Sequence, residues 1–330
     1  MDRKITVIGD GSWATALIKL LTENEIHVNW FVRKPETINY LKSEGNNPEF
    51  LSGVKLNLKF ISFFNNVEKA VEASSIILLV IPSEFLTSVL NGVSDNILKC
   101  KMIVSAVKGV IEEKNKTVCS YLNQHYQIPL SQLCVISGPS HAEEVAQEKL
   151  SYLTIASENQ DFAAIISNFF ARDYIRTILS DDVYGTEYSA TLKNIMALGA
   201  GISQGLGYGD NFQAVLVSNA IREIKRFALA VYPIRRDINE SAYLGDLLVT
   251  AYSEYSRNRS LGKKIGSGLP VAQALNEMKM VAEGYHATKC LYKTKKELEI
   301  EMPILEAVYR ILFKNANPEI EIKSLTEKLR

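Results

Sequence analysis

The sequence predicts two folds in series: an open α/β sheet of mostly parallel strands, then an all-α domain. Three observations carry this. The first half alternates short β-branched runs with helical segments, from Ile5-Thr6-Val7-Ile8 to Tyr174–Leu179. The second half, from about Asp182, reads helix after helix with no further strand pattern. A glycine-spaced turn, Gly9-Asp10-Gly11, joins the first strand directly to a helix of small residues. The expected boundary places an α/β domain at 1–182 and a helical domain at 183–330, with no Pro-, Gly- or Ser-rich linker between them.

The opening turn is the first element. A strand that runs through two glycines into a helix presents that helix's unpaired N–H groups and partial positive charge to an anion such as a pyrophosphate. Gly9 permits the turn and Gly11 lets a backbone come close to phosphates, while Ala14 stands at the third position of the dinucleotide fingerprint. A second strand, Val28–Val32, follows about twenty residues later and supplies the βαβ setting the fingerprint requires. Asp10 places an anion beside an anionic ligand, which either weakens pyrophosphate binding or turns the carboxylate into solvent. Where NAD-selecting sheets carry an acid, the second strand ends on Arg33-Lys34; cations there suit the extra phosphate of NADP, so the reading is NADPH or NADH, leaning to NADP.

Further strands are expected at Leu58–Ile61, Ser75–Ile81, Met102–Val107, Leu133–Ile136 and Leu153–Ala156, with helices at Asn66–Ala73 and Phe85–Leu98 and at least one antiparallel edge. Ligands of such sheets lie at the strands' C-terminal ends. Two such ends carry chemistry: Lys108-Gly109, which aims an ammonium at the crevice, and Gly138-Pro139-Ser140-His141-Ala142, which opens a second helix N-terminus.

In the second half, Thr186–Gly205 forms a slim helix of Ala and Gly, which implies that another backbone approaches it closely. Lys193 lies in this crowded surface. It either snorkels or, desolvated, acts as a proton donor near neutral pH. Asp246, in Leu244-Gly245-Asp246-Leu247, fits two roles, orienting a lysine ammonium or capping a helix. Ser253-Glu254-Tyr255-Ser256-Arg257-Asn258-Arg259 gathers hydroxyl, guanidinium and amide groups in one turn, a set that suits a phosphate. Val281-Ala282-Glu283-Gly284-Tyr285 starts a helix, and Asn315–Arg330 is expected to be a short exposed one.

Composition excludes several classes. The 330 residues carry 37 basic and 37 acidic side chains, which gives no electrostatic case for nucleic acid or an anionic membrane as partner. Cys100, Cys119, Cys134 and Cys290 show no CxxC pair and the histidines no cluster, so no metal site is expected and a reducing compartment is. Asp2-Arg3-Lys4 leads straight into a strand, and the longest apolar run, Ile76–Ile81, is too short to span a bilayer; a soluble, cytoplasmic chain is expected.

Taken in order, Gly9-Asp10-Gly11-Ser12-Trp13-Ala14-Thr15-Ala16, Val107-Lys108-Gly109, Gly138-Pro139-Ser140-His141-Ala142, Leu192-Lys193-Asn194, Gly207-Tyr208-Gly209-Asp210-Asn211, Gly245-Asp246-Leu247, Ser256-Arg257-Asn258-Arg259 and Val281-Ala282-Glu283-Gly284-Tyr285 resemble the NAD(P)-dependent sn-glycerol-3-phosphate dehydrogenase family of bacteria. The resemblance runs from Ile5 to about Phe313. It implies a Rossmann-type N-terminal domain, a C-terminal domain like that of 6-phosphogluconate dehydrogenase, and interconversion of dihydroxyacetone phosphate and sn-glycerol 3-phosphate for phospholipid synthesis, in a homodimer. It further implies that Ser12, Trp13, Arg33, Ala142, Val281 and Glu283 contact the dinucleotide, together with the Gly9 and Gly11 turn. Lys108 would touch cofactor and substrate, Gly138 and Ser140 the substrate, and Lys193 would be the acid/base. Asp246, Ser256, Arg257 and Asn258 would complete the substrate site, with Arg257 also reaching the cofactor. The chain departs from the family's Gly-Ala-Gly-Ser-Trp-Gly at Asp10 and Ala14, and carries Val32 where the family often has His or Ser. Two alternatives share parts of the pattern. One is a related two-domain β-hydroxy-acid dehydrogenase, the other a non-catalytic NADPH-sensing regulator that would need no Lys193–Asp246 pairing.

Overall fold

The computed structural model describes residues 3–278 and 282–330. The chain divides into two compact units: residues 1–107 with 118–183, and residues 108–117 with 184–330.

The first unit is built on an eight-stranded sheet. Its strands are β1 (Lys4–Ile8), β2 (His27–Phe31), β3 (Ile61–Phe64), β4 (Ile76–Leu79), β5 (Met102–Ser105), then, after the two-residue strands β6 (Val110–Ile111) and β7 (Lys116–Thr117) of the other unit, β8 (Leu133–Ser137), β9 (Ser151–Ala156) and β10 (Ile175–Ser180). The spatial order is β10-β9-β8-β5-β4-β1-β2-β3. All neighbours are parallel except β8 and β9, whose antiparallel pairing supplies the expected change of direction. Both faces of the central strands are covered, which is why Ile76-Ile77-Leu78-Leu79 reads as a continuous apolar run rather than an alternating one. Ile5, Val7, Val28, Trp30, Leu78 and Val104 pack with Leu17 and Leu21 of the Ser12–Glu23 helix in one core.

Two expected elements differ. Leu58–Phe60 is a 3₁₀ turn and the strand begins only at Ile61. The single helix expected over Phe85–Leu98 is two, Ser83–Leu90 and Asp95–Leu98, because Asn91-Gly92-Val93-Ser94 interrupts it with a poor helix former and a new cap position.

The second unit is helical, and its core joins Leu192, Ile195, Leu198 and Ile202 of the helix Val183–Gly205 to Ile224 and Phe227 of Asp210–Val231 and to Ile304, Val308 and Ile311 of Pro303–Phe313. The small residues of the first helix find their explanation in the helix Arg257–Gly266. A Cβ at Gly201 or Gly205 would collide with the carbonyls of Arg259 or Lys263, and one at Gly262 or Gly266 with those of Leu198 or Ile202. Two Gly-xxx-Gly faces therefore meet backbone to backbone, and this crossing fixes the lysine-bearing helix against the one that follows Ser256.

Residues 108–117 leave the sheet and join the helices. Val110 is buried in the helical core, Asn194 Nδ2 donates to Lys108 O at 2.9 Å, and Lys289 Nζ donates to Glu112 Oε1 at 3.0 Å. The expected tail is not simply exposed. In the helix Pro318–Thr326, Ile322 and Leu325 are buried and Glu321 accepts from Arg310 Nε at 2.8 Å, while Asn219 Nδ2 donates to Arg330 O at 2.9 Å.

Candidate active site

In the first unit the site is made of backbone. Gly9 has φ +135°, and a Cβ there would collide with the Val80 carbonyl, so the turn requires glycine. Gly11 precedes the helix Ser12–Glu23 with nothing in front of its Cα: an added Cβ meets no atom within 4 Å. The helix's first-turn N–H groups have no intrahelical acceptor, and its first turn has no acidic residue. That combination of open approach, donors and uncancelled helix dipole fits the pyrophosphate of a dinucleotide. Ala14 is buried, consistent with tight packing of helix on strand.

Two residues outside the motif hold this turn. Trp30 Nε1 donates to Gly9 O at 2.7 Å. Asn47 Nδ2 donates to Asp10 O at 2.8 Å and to Thr15 Oγ1 at 2.9 Å, while its Oδ1 accepts from the N–H groups of Glu49 and Phe50. Sequence reasoning missed both. The Asn46-Asn47-Pro48 run signals a turn, but a partner 37 residues away leaves no local trace.

Asp10 does not swing into solvent, as one expectation had it. It is half-buried, and burial raises its carboxyl above the ordinary range while Arg33 pulls it back. Arg33 is exposed at the end of β2, and Lys34 beside it pairs with Glu49 at 3.3 Å. Gly138, with φ +111°, ends β8; a Cβ there would sit 2.6 Å from Tyr152 O. Ser140 Oγ donates to Gly138 O at 2.9 Å. The helix that follows, Ala142–Ala146, is only five residues long and carries Glu143 and Glu144 in its first turn, so it offers an anion less than the sequence suggested.

In the second unit the site is made of side chains. Lys193 and Asp246 are 4 % and 1 % exposed, and Lys193 Nζ donates to Asp246 Oδ1. Lys108 Nζ stands 3.6 Å from the other oxygen, Oδ2. Asp246 pairs with lysine rather than capping: it is the first residue of the helix Asp246–Tyr252, whose N-cap is Gly245, and Thr250 Oγ1 donates to its carbonyl at 2.6 Å. Burial pushes the Lys193 ammonium down to about 7, helped by the charge of Lys108 and opposed by Asp246. A lysine with that pKa holds or releases a proton at neutral pH with little cost.

Ser256 and Asn258 are both buried and both tied to backbone. Ser256 Oγ accepts from Arg259 N at 3.3 Å and caps the helix Arg257–Gly266. Asn258 Oδ1 accepts from Gly284 N at 2.9 Å at the start of the helix Glu283–Glu297. Arg257 is exposed, whereas Arg259, two residues on, is buried and bonded to Glu254 Oε1 at 2.6 Å. Glu283 opens its helix as the sequence predicts. Val281 lies outside the described residues. Lys108, Lys193 and Asp246 are thus brought together in one unit, while Gly9, Gly11, Ser12, Trp13, Arg33, Gly138, Ser140 and Ala142 belong to the other.

A Rossmann-type unit with an open glycine turn, and a helical unit with a buried lysine–aspartate pair, define a two-unit nicotinamide-dependent dehydrogenase. Residues 4–163 match the family model of the NAD-dependent glycerol-3-phosphate dehydrogenase N-terminus, and residues 182–323 that of its C-terminus. The chain belongs to this family. It is 36% identical to a glycerol-3-phosphate dehydrogenase [NAD(P)+] of Citrifermentans bemidjiense, covering 100% of this chain and 99% of the relative. Its identity to one of Clostridium botulinum is 35%, covering 98% and 96%. The crystal structure of a glycerol-3-phosphate dehydrogenase from Coxiella burnetii superposes with a TM-score of 0.89 at 27% identity, covering 98% of each chain. A ketopantoate reductase from Ralstonia eutropha, at TM-score 0.59 and 15% identity, shares the fold alone. Among the described residues no helix is long and apolar enough to cross a membrane.

Proposed function

We propose that the chain reduces dihydroxyacetone phosphate to sn-glycerol 3-phosphate with NADH or NADPH, reversibly, and so supplies glycerophospholipid synthesis. The observation that carries this reading is the buried Lys193–Asp246 pair with Lys108 beside it, in a chain of this family. The Gly9–Ser12 turn would hold the dinucleotide, whose nicotinamide would supply the hydride for the carbonyl carbon. As negative charge grows on the carbonyl oxygen, the Lys193 ammonium stabilises it and donates a proton to it, then recovers one from solvent. Asp246 holds Nζ in place, and Lys108 adds a second positive charge to the same field. In the reverse direction neutral Lys193 accepts the hydroxyl proton.

Dinucleotide binding is assigned to residues 1–182 through Gly9, Gly11, Ser12, Trp13, Arg33 and Ala142, joined by Lys108, Arg257, Val281 and Glu283. Substrate binding and proton transfer are assigned mainly to 183–330, through Lys193, Asp246, Ser256, Arg257 and Asn258, with Lys108, Gly138 and Ser140. Arg257, exposed and forked, suits the phosphate end, and holding that end fixes the reacting carbon. Ser256 and Asn258 already spend one acceptor each on backbone, so their positions are rigid when they meet a ligand. Val215, Leu229, Leu248 and Tyr252, exposed on the helical unit, support a homodimer, and four scattered cysteines that form no disulfide support a cytoplasmic setting.

The test follows nicotinamide absorbance with dihydroxyacetone phosphate and each cofactor in parallel. Rapid oxidation of NADH or NADPH is expected. Folded protein that binds either cofactor and oxidises neither would overturn the assignment.

A further inference from the structure

Asp10 stands where β1 gives way to the Ser12–Glu23 helix, a place where a charged side chain meets whatever the turn binds. β1 and β2 are paired in parallel and Ile8 opposite Phe31 is their last pair, so the segments that follow, Gly9-Asp10 and Val32-Arg33, leave the sheet at the same edge. Trp30 Nε1 fixes the first strand's exit through Gly9 O, and Asn47 fixes Asp10 itself through its carbonyl while bonding the N–H of Glu49. The ends of the two strands thus gather Asp10, Arg33, Lys34 and Glu49. Lys34 and Glu49 are paired with each other, which leaves Asp10 and Arg33 as the opposed charges of the group. That these charges sense one another is consistent with Arg33 and Lys34 lowering, and Glu49 raising, the Asp10 carboxyl against its burial.

In sheets of this kind the adenosine ribose lies against the end of the second strand, where an acid accepts the 2′- and 3′-hydroxyls and repels a 2′-phosphate. Here that strand end is cationic, and the acid is carried by the end of the strand beside it. We infer that Asp10 is the residue at which NADH and NADPH are told apart, its carboxylate taking the ribose hydroxyls and opposing the 2′-phosphate that Arg33 attracts. The inference rests on the dinucleotide-binding reading of this unit. It reverses the simpler view of Asp10 as a burden on the pyrophosphate. A carboxylate facing the pyrophosphate would weaken both cofactors alike, since that group is common to them, whereas one facing the ribose divides them.

The test is equilibrium binding of NADH and of NADPH to the full chain without substrate, read by nicotinamide fluorescence, for wild type, Asp10→Ala, Asp10→Asn and Arg33→Ala. Asp10→Ala is expected to tighten NADPH about tenfold and to loosen NADH two- to threefold, roughly the effect of one charge and one or two hydrogen bonds. Arg33→Ala is expected to move the ratio the other way. Should circular dichroism show that Asp10→Ala does not fold, Asp10→Asn keeps the shape and removes the charge, and the same tightening of NADPH is expected of it. A ratio unchanged within twofold, or equal tightening of both cofactors, would overturn the inference and leave the dehydrogenase reading intact. Wild-type protein that binds neither cofactor would overturn that reading, and the inference with it.

Discussion

The Gly9–Ser12 turn and the Lys193–Asp246 pair handle charge in opposite ways. The turn offers backbone donors to an anion that arrives from outside, and glycine keeps side chains out of its path. The pair buries two formal charges against each other and a third, Lys108, beside them, where the low dielectric magnifies every interaction. Recognition of a phosphate tolerates water and partial exposure. Proton transfer at neutral pH needs a lysine pulled far below its ordinary range, which burial does here with help from the charge of Lys108. The donors of the first region therefore come from one local motif, braced by Trp30 and Asn47, while the second must be assembled from residues 108, 193 and 246, far apart in the chain.

The sharpest way to break the contrast is Lys193→Ala. We expect turnover to fall about 10³-fold, within the range of a lost general acid, while cofactor binding by fluorescence stays within twofold, because the turn is untouched. The same lysine sets a pH signature. Dihydroxyacetone phosphate reduction requires its protonated form, so kcat should fall as pH rises through about 7, while glycerol 3-phosphate oxidation should rise through the same value. Both slopes should vanish in the variant. Stability carries the linked sign: between about 7 and 10.5 the unfolded chain holds a proton the folded chain lacks, so this group's contribution becomes more favourable with rising pH.

Gly266→Ala tests whether the helical region depends on its backbone crossing. The new methyl collides with Ile202 O, and we expect a loss of about 3 kcal/mol in urea unfolding, with turnover reduced as Lys193 and Arg257 lose their common frame. Asn47→Ala makes the corresponding test in the sheet. It removes four hydrogen bonds around the glycine turn and should cost about 2 kcal/mol, weakening both NADH and NADPH by titration, with little change in the proton-transfer pH profile.

The smallest effect is expected at Glu223, a second buried ionisable group with no part in the reaction. Its carboxylate accepts from Ile304 N at 2.6 Å and Leu305 N at 3.2 Å, and burial pushes its pKa up to about 8. From about 4.5 to about 8 the folded chain keeps a proton the unfolded chain has lost, so stability drains with rising pH in that window. Glu223→Gln should flatten that part of the Tm–pH curve and leave kcat near wild type. A change in kcat as large as that of Lys193→Ala would mean that burial alone, and not the Asp246–Lys108 setting, marks a catalytic group.

Much of the first unit was legible because its signals are local. Strand runs, the twenty-residue βαβ spacing and the glycine turn all arise from contacts between chain neighbours, and β1, β2, β4 and β5 fall close to their expected places. The site in the second unit was legible only as separate clues. Lys193 on a slim helix left snorkelling and catalysis open, and Asp246 left capping and pairing open, until the fold put the two side chains together. Asn47 and the docked tail helix gave no warning, since their partners are remote in sequence.

The sequence by itself determined the strand-and-helix order, the phosphate-binding turn, and the need for a close backbone neighbour along the slim helix of Ala190, Ala197, Ala200 and Gly201. Hydrophobic periodicity and glycine stereochemistry act over a few residues and are written where they act. The tertiary structure alone decided that the neighbour is Gly262–Gly266, that residues 108–117 leave the sheet to bring Lys108 to Asp246, and that the segments carrying Asp10 and Arg33 leave the sheet at the same edge. Each of these is a meeting of distant segments, fixed by packing and by the pairing of buried charges, and neither has a period that a single stretch of chain can display.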